Sequence, residues 1–211
     1  TQEASLGHIL QKTKGLSADQ VQRALDYQRD HGVRFGEAAV ALGMAKPDDV
    51  VWALSQQFRY PYAPQSQASM HAELVVAHSP FSEEVETFRD LRSQLVLGVF
   101  GEVQARQALA IVSSDEGDGK SFVAANLAVA FSQLPGRTLL IDANLREPRL
   151  HEVFGVDQDM GLTGVLSGRA EPNVIKPVEL LPNLYLMPAG VLAPNPSELL
   201  QGAAFSLCLK E

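Results

Sequence analysis

The sequence predicts two units: an α/β domain built around a parallel sheet, and a small all-α domain before it. Strand-like apolar runs at 108–114 and 138–142 flank a glycine-rich turn and a helical stretch, which is the order of a βαβ unit. A gapless internal repeat within the first 60 residues predicts the helical domain. The 211 residues of the chain are enough for both units.

The helical unit repeats itself. Residues 5–28 align on residues 34–57, so that each copy is 24 residues long and five residues separate the copies. In each copy the pattern predicts a short helix that ends at Gly15 or Gly43, followed by a second helix that starts at a capping residue. The matched pairs are Gly7 with Gly36, Val21 with Val50, Ala24 with Ala53, Leu25 with Leu54, and Gln28 with Gln57. We expect two helical hairpins that bury each other's apolar faces.

A change in composition marks the domain boundary. Residues 60–70, YPYAPQSQASM, are rich in Pro, Gln, Ser and Ala, which favours an extended linker. We assign residues 1–60 to the helical domain, 61–78 to the linker and 79–211 to the α/β domain. Within the last range, the pattern predicts helices over 82–97 and 120–134.

Charge and composition exclude several functions. The net charge is −8, and residues 61–211 hold 18 acidic against 10 basic side chains, which argues against binding nucleic acid or anionic lipid directly. No apolar run approaches the ~18 residues that a membrane span needs, and no signal-peptide pattern is present. The single Cys208 cannot form a disulfide within the chain. We therefore expect a cytoplasmic protein.

The stretch SSDEGDGKS, residues 113–121, matches a phosphate loop except that Ser114 replaces the first glycine. Backbone amides would converge on the phosphates, Lys120 would supply a positive charge, and the Ser121 hydroxyl would ligate Mg²⁺. The predicted nucleotide-binding residues are Gly117, Asp118, Gly119, Lys120, Ser121 and Phe122. The alternative is a glycine turn that only caps a helix.

Three carboxylates accompany this loop, at Asp115, Glu116 and Asp118. They would repel a triphosphate unless they face solvent or address the metal, and we expect most of them to face solvent.

Asp142 ends the second predicted strand, in LLIDANLREP (139–148). In a parallel sheet this position lies beside the phosphate loop, where a carboxylate can hold Mg²⁺ or accept a proton from an attacking hydroxyl. The alternative for an aspartate at a strand end is a helix cap or turn residue.

These residues resemble the bacterial tyrosine kinase family (BY-kinases), and the EpsG-like group of exopolysaccharide chain-length regulators in particular. The resemblance covers about residues 79–211 and rests on five blocks: SPFSEEVETFRDLRSQL (79–95), the phosphate loop, LLIDANLREPRLHEVFG (139–155), GLTGVLSG (161–168) and MPAGVLAPNPSELL (187–200). It implies a ParA/MinD-like P-loop NTPase with a doubly wound parallel sheet. The implied reaction transfers the γ-phosphate of ATP to protein tyrosines.

The resemblance also implies roles for single residues. Lys120 and Ser121 would bind the β- and γ-phosphates with Mg²⁺, and Asp142 would be catalytic. Asn144 stands where many members carry a second aspartate, and an amide can ligate a metal but cannot act as a base. On one face of a predicted helix, Glu86, Arg89 and Arg92 match the family's ExxRxxR motif, through which subunits assemble into a ring.

The chain lacks two family features, the Walker B strand and a cluster of tyrosines, which we expect in a longer protein of which this sequence is the N-terminal part. The resemblance implies a membrane-embedded polysaccharide co-polymerase as partner, and thus a position at the inner membrane without a span. Two rivals remain: a ParA/MinD-type ATPase switch, and a nucleotide-free regulatory protein.

The repeat resembles the MshE-type N-domain of type II secretion ATPases, in which two 24-residue motifs bind cyclic di-GMP. The positions that match this role are Leu6, Gly7, Gln28, Arg34, Phe35, Gly36 and Gln57. Ser5 replaces the arginine of the first motif and cannot stack on guanine or pair with phosphate. Cyclic di-GMP binding and a plain protein-interaction module therefore stay open.

Overall fold

The computed structural model describes residues 5–57, 71–79, 82–100, 108–169, 173–179 and 181–210. The predicted linker stretch 60–70 lies outside these ranges. The helices are α1 Leu6–Lys14, α2 Ala18–His31, α3 Phe35–Ala41, α4 Pro47–Gln57, α5 Val75–His78, α6 Glu83–Gly98, α7 Lys120–Ser132, α8 Leu150–Phe154, α9 Leu162–Leu166, α10 Pro196–Gln201 and α11 Ala203–Cys208. The strands are β1 Thr138–Ile141, β2 Lys176–Pro177 and β3 Leu184–Met187. Across the described ranges, no helix is both long and apolar enough to cross a bilayer.

The four N-terminal helices form where the repeat predicts them. Helix α2 begins at a capping box in which the Ser17 amide donates to Gln20 Oε1 (2.8 Å) and the Gln20 amide donates to Ser17 Oγ (3.2 Å). In the second copy the Lys46 amide donates to Asp49 Oδ2 (3.0 Å) at the matching position. Helix α1 packs on α4 and α2 packs on α3, so that each copy buries the other.

The repeat produces an approximate twofold relationship between its copies. A β-carbon on Gly7 would lie 3.3 Å from the Phe35 ring, and one on Gly36 would lie 3.7 Å from Leu6. Leu6 precedes Gly7 and Phe35 precedes Gly36, and these two residues occupy matched positions of the repeat. Each glycine therefore lies next to the residue that precedes the glycine of the other copy. The absence of a side chain at both positions lets the helices approach closely.

The α/β unit contains a three-stranded sheet in the order β1-β3-β2. Strands β1 and β3 are parallel, with Thr138 opposite Leu184 and Ile141 opposite Met187, whereas the two-residue β2 runs antiparallel to β3. Helix α7 packs against β1 and β3 and contributes much of the core. The fold is thus the expected mixture of helices with a sheet that contains a parallel pair.

The run 108–114, predicted as a strand, differs from the prediction. It is neither helix nor strand, and Leu109 and Val112 are 42% and 83% exposed. A strand needs a neighbour to complete its hydrogen bonds, and within the described ranges β1 pairs only with β3. The βαβ unit expected from 108–142 therefore has its helix and its second strand in place but no pairing between its two apolar runs. Within the described ranges the sheet is small, with one parallel and one antiparallel pair of strands.

The end of the predicted linker belongs to the α/β core. Leu74, Val76 and Ala77 are fully buried and pack with the apolar residues of α7. The predicted linker extends to residue 78 because the helical pattern of the α/β domain begins only at Ser79-Pro80. The described part of the α/β unit begins at residue 71 rather than at 79.

Candidate active site

The phosphate loop carries two glycines in the left-handed region of backbone conformation. Gly117 has φ 82° and Gly119 has φ 86°, values that other residues rarely adopt. Gly119 is the N-cap of α7, and it provides no side-chain hydrogen bond to the first turn. The amides of that turn can therefore point at an anion, reinforced by the partial positive charge of the helix end.

Lys120 folds back over the loop. Its Nζ donates to Ser113 Oγ and to the Asp115 carbonyl oxygen, both at 2.7 Å. The ammonium group therefore lies across the concave side of the loop, held by neutral oxygens that an anionic ligand would outcompete.

The three acidic residues of the loop are exposed, as expected. Asp118 Oδ2 accepts from the Asp115 amide (3.2 Å), which tightens the loop. The neighbouring carboxyl group of Glu116 raises the pKa of Glu147, because two negative charges close together disfavour ionisation. The Glu116–Glu147 contact brings the phosphate loop against the loop that follows Asp142.

Asp142 lies at the carboxyl end of β1 and is buried, with 4% exposure. Its Oδ1 accepts from the Asn144 amide (3.1 Å), and its Oδ2 accepts from the amides of Arg149 and Leu150 (3.0 Å each). Burial raises the pKa of this carboxyl group, and the three amide donors only partly oppose the rise. Since Leu150 opens α8, the carboxylate also caps that helix, the structural role considered as an alternative. An Asp142 held in this way keeps one lone-pair site, on Oδ1, for a further ligand.

Asn144 closes a turn with Glu147. Its Nδ2 donates to the Glu147 carbonyl (2.8 Å) and its Oδ1 accepts from the Glu147 amide (3.2 Å). The amide oxygen that we predict as a metal ligand therefore already accepts one hydrogen bond. Among the described residues there is no cluster of three or more His, Cys, Asp or Glu side chains arranged for a metal.

A cavity of about 510 Å³ lies next to this turn. Its lining comes from Leu145 and Arg146 after β1 and from residues 192–198 after β3. Arg146 donates to Ser197 Oγ across it (3.1 Å), and Leu192 is 59% exposed. Two of the five family-like blocks thus meet at the carboxyl end of the sheet.

The predicted assembly face lies on α6. Arg89 and Glu86 form an ion pair, and the Glu86 side chain is 57% exposed. Arg92 turns towards α7 and donates to the Ala130 carbonyl (2.8 Å) and to Gln133 Oε1 (3.5 Å). Arg92 therefore binds the C-terminal end of the helix that starts at the phosphate loop.

Four of the predicted cyclic di-GMP residues, Leu6, Gly7, Phe35 and Gly36, lie together where the two copies meet. Gly7 and Gly36 are buried in the helix contacts, whereas Arg34 is exposed and its amide donates to Glu37 Oε2 (2.8 Å). Leu6, Phe35, Gln28 and Gln57 are half-buried. The arginine is thus available to a ligand at one end of the interlocked helices.

Sequence reasoning missed three residues around the site: Glu73, Asn126 and Arg149. Asn126 is fully buried in α7 and bonds to the 71–78 segment. Its polarity within the apolar run 123–131 was a visible signal. The pairing of Glu73 with Arg149 spans 76 positions, and no local pattern indicates it.

No protein-family model matches the chain. Two relatives are the tyrosine-protein kinase wzc of Salmonella typhi, 36% identical over 136 residues, and the tyrosine-protein kinase YwqD of Bacillus subtilis, 34% identical over 132 residues. These matches cover 64% and 62% of this chain but only 18% and 54% of the relatives. The kinase domain of Escherichia coli tyrosine kinase ETK superposes with a TM-score of 0.58 at 29% identity, over 70% of this chain and 57% of that one. The homologues are thus named bacterial tyrosine kinases, and the P-loop fold is shared.

Proposed function

We propose that this chain is the nucleotide-binding part of a bacterial tyrosine autokinase that regulates exopolysaccharide chain length. The observation that carries the proposal is the phosphate loop, with two left-handed glycines, a helix end free of side-chain caps and Lys120 folded across it. Because the chain spans roughly a fifth to a half of the two kinases described above, the activity belongs to the longer protein.

ATP fits this loop as the phosphoryl donor. Its β- and γ-phosphates would accept hydrogen bonds from the amides at the start of α7. Lys120 would give up its hydrogen bonds to Ser113 and Asp115 and donate to phosphate oxygens instead. Ser121, Asp142 and Asn144 would hold Mg²⁺, which when bound neutralises charge on the phosphates. The one lone-pair site that stays open on Oδ1 of the buried Asp142 carboxylate supports this choice.

In the proposed reaction, a tyrosine oxygen bonds to the γ-phosphorus while the bond from that phosphorus to the bridging oxygen breaks, and ADP leaves. The phenolic proton passes to Asp142 or to a base outside this sequence. Burial makes Asp142 a stronger base than an exposed aspartate because it raises the pKa of the carboxyl group.

The tyrosines would belong to a neighbouring subunit of a homo-oligomeric ring assembled through the α6 face. The partner would be a membrane-embedded polysaccharide co-polymerase, which would hold the cytoplasmic protein at the inner membrane. Glu86, whose side chain is 57% exposed, would be accessible to a second subunit on this face.

The test is autophosphorylation of the full-length protein. We expect wild type to bind Mg-ATP and to gain phosphotyrosine, and Lys120→Ala to lose both, since no other described loop residue supplies a positive charge. Lys12→Ala, an exposed lysine of α1, is the matched control and should behave as wild type. ATP hydrolysis without phosphotyrosine would favour the ATPase switch, and no nucleotide binding would favour the regulatory protein.

We also propose that the helical domain binds cyclic di-GMP, because the matched glycines interlock and leave Arg34 exposed beside them. Calorimetry on the full chain should show binding that Arg34→Ala weakens and Arg23→Ala, an exposed arginine of α2, does not. No heat at about 1 mM ligand, where even ~4 kcal/mol of affinity would register, would leave the domain as a protein-interaction module.

A further inference from the structure

Residues 71–79 form a strap between the linker and α6. Leu74, Val76 and Ala77 are fully buried, and the strap packs against α7 and α6. It is the first described part of the chain after the helical domain. Its polar contacts reach two elements of the candidate site.

The first contact is with the phosphate-loop helix. Asn126, fully buried in α7, accepts from the Val76 amide at Oδ1 (3.1 Å) and donates from Nδ2 to the Glu73 carbonyl (2.8 Å). The same Nδ2 donates to the Phe122 carbonyl within α7 (3.0 Å). The bond from Val76 is buried and the other two are partly buried, so together they hold the strap backbone to the helix that begins at Lys120.

The second contact is with the residues that hold Asp142. Glu73 Oε1 lies 2.6 Å from an Arg149 guanidinium nitrogen, and the His71 amide donates to the Val153 carbonyl (3.1 Å). The Arg149 and Leu150 amides are the two donors to Asp142 Oδ2. Glu73 thus reaches the carboxylate through one intermediate residue.

We propose that Glu73 is a positioning residue for Asp142, acting through Arg149, and that the strap keeps the Asp142 carboxylate in register with the phosphate loop. The proposal rests on the proposed function. A partner one step removed from a metal-binding carboxylate fixes the orientation of that carboxylate and so tunes metal affinity. Because α7 and the Asp142 loop share this one strap, any displacement of it changes both.

The first experiment measures Mg²⁺-dependent binding of a fluorescent ATP analogue, N-methylanthraniloyl-ATP, to the full chain. In Glu73→Gln, which keeps the backbone carbonyl used by Asn126, the Mg²⁺ concentration for half-maximal binding should rise about ten-fold. Binding without Mg²⁺ should stay unchanged, because it depends on the phosphate loop. Asp26→Asn, which removes a more exposed ion pair from α2, should change neither.

The second experiment is hydrogen exchange at the Arg149 and Leu150 amides without nucleotide. Exchange should be several-fold faster in Glu73→Gln, and Glu73→Gln should add nothing in an Arg149→Ala background. Unchanged exchange at these two amides in Glu73→Gln would overturn the claim that Glu73 acts on Asp142 through Arg149. Faster exchange with an unchanged Mg²⁺ requirement would overturn the positioning role. Failure of wild type to bind nucleotide would instead overturn the proposed function, while exchange would still test the route from Glu73 to Asp142.

Discussion

Gly36 lies so close to Val50 that a β-carbon on residue 36 would stand 2.4 Å from Val50 Cγ1. Real β-carbons essentially never approach so near, so the first turn of α3 sits on α4 without room for a methyl group. The matched Gly7 is less crowded, because its nearest neighbours would be side-chain atoms at 3.3 Å. The two matched glycines therefore differ in how well each position tolerates a side chain.

Gly36→Ala should destabilise the helical domain by about 1–3 kcal/mol, because α3 and α4 must move apart. Gly7→Ala is the matched control and should be nearly neutral, since a gain of about 0.5–1 kcal/mol in helix propensity offsets the tighter contact. Thermal unfolding followed by circular dichroism measures both. Equal losses in the two variants would contradict the difference in packing.

Asn126→Ala should lower the free energy of unfolding of the α/β unit by about 2–4 kcal/mol, because it leaves the buried Val76 amide and Glu73 carbonyl without a partner. Denaturant unfolding measures the loss. Ser132→Ala is the control in the same helix: its hydroxyl is also buried but bonds only to the Val129 carbonyl one turn back, so the cost should stay below about 1 kcal/mol. A similar loss of unfolding free energy in the two variants would show that the loss follows from burial of the side chain and not from the bonds to the strap.

Asp49 links α4 to α1 through its ion pair with Lys14 at 2.6 Å. Burial pushes the pKa of Asp49 up, but the hydrogen bonds from Lys14 and the Lys46 amide outweigh it and hold the pKa below the ordinary 3.8. A depressed folded-state pKa stabilises the fold above pH 3.8, and this stabilisation is lost as the pH falls through the lower folded value.

Asp49→Asn should therefore lower the free energy of unfolding by about 0.5 kcal/mol at pH 7, a value that allows for the partial exposure of the pair. At pH 2 it should have almost no effect. Urea unfolding at the two pH values measures the difference. The same loss in Asp48→Asn, in the same first turn, would assign the effect to the helix dipole instead of Lys14.

Arg92→Ala should lower the stability of the α/β unit by about 1 kcal/mol, because Arg92 donates to the C-terminal end of α7. Glu86→Ala should instead weaken self-association of the full-length protein with little change in stability, since that side chain is exposed. Sedimentation velocity and thermal unfolding separate the two effects. If Arg92→Ala loses assembly and Glu86→Ala does not, the contact between subunits lies nearer Arg92 than Glu86 on α6.

Local signals predicted most of the helices. The glycines at positions 15 and 43, both in the left-handed region, end two of them, and Ser17 and Ser82 cap two others. The nucleotide-binding roles of the phosphate loop and of Asp142 stay predictions, and they were drawn from short contiguous segments of sequence. The composition around residue 78 did not reveal where the linker ends, since burial there comes from contacts with α7.

Long-range contacts escaped prediction for a physical reason. The apolar run 108–114 has strand propensity, but a strand exists only when another strand completes its hydrogen bonds. The Glu73–Arg149 ion pair and the cap that Asp142 gives to α8 depend on how the chain returns to itself. Neither has a periodicity that could be read locally.

The unpaired edge of β1 has a practical consequence for handling the protein. Leu139, in the middle of β1, is 44% exposed, and the described ranges offer no strand on that side. Open strand edges beside exposed apolar side chains are templates for pairing between molecules. In concentrated solutions of this chain we expect slow, irreversible aggregation that begins at the edge of β1. A Leu139→Lys variant should become turbid more slowly than wild type.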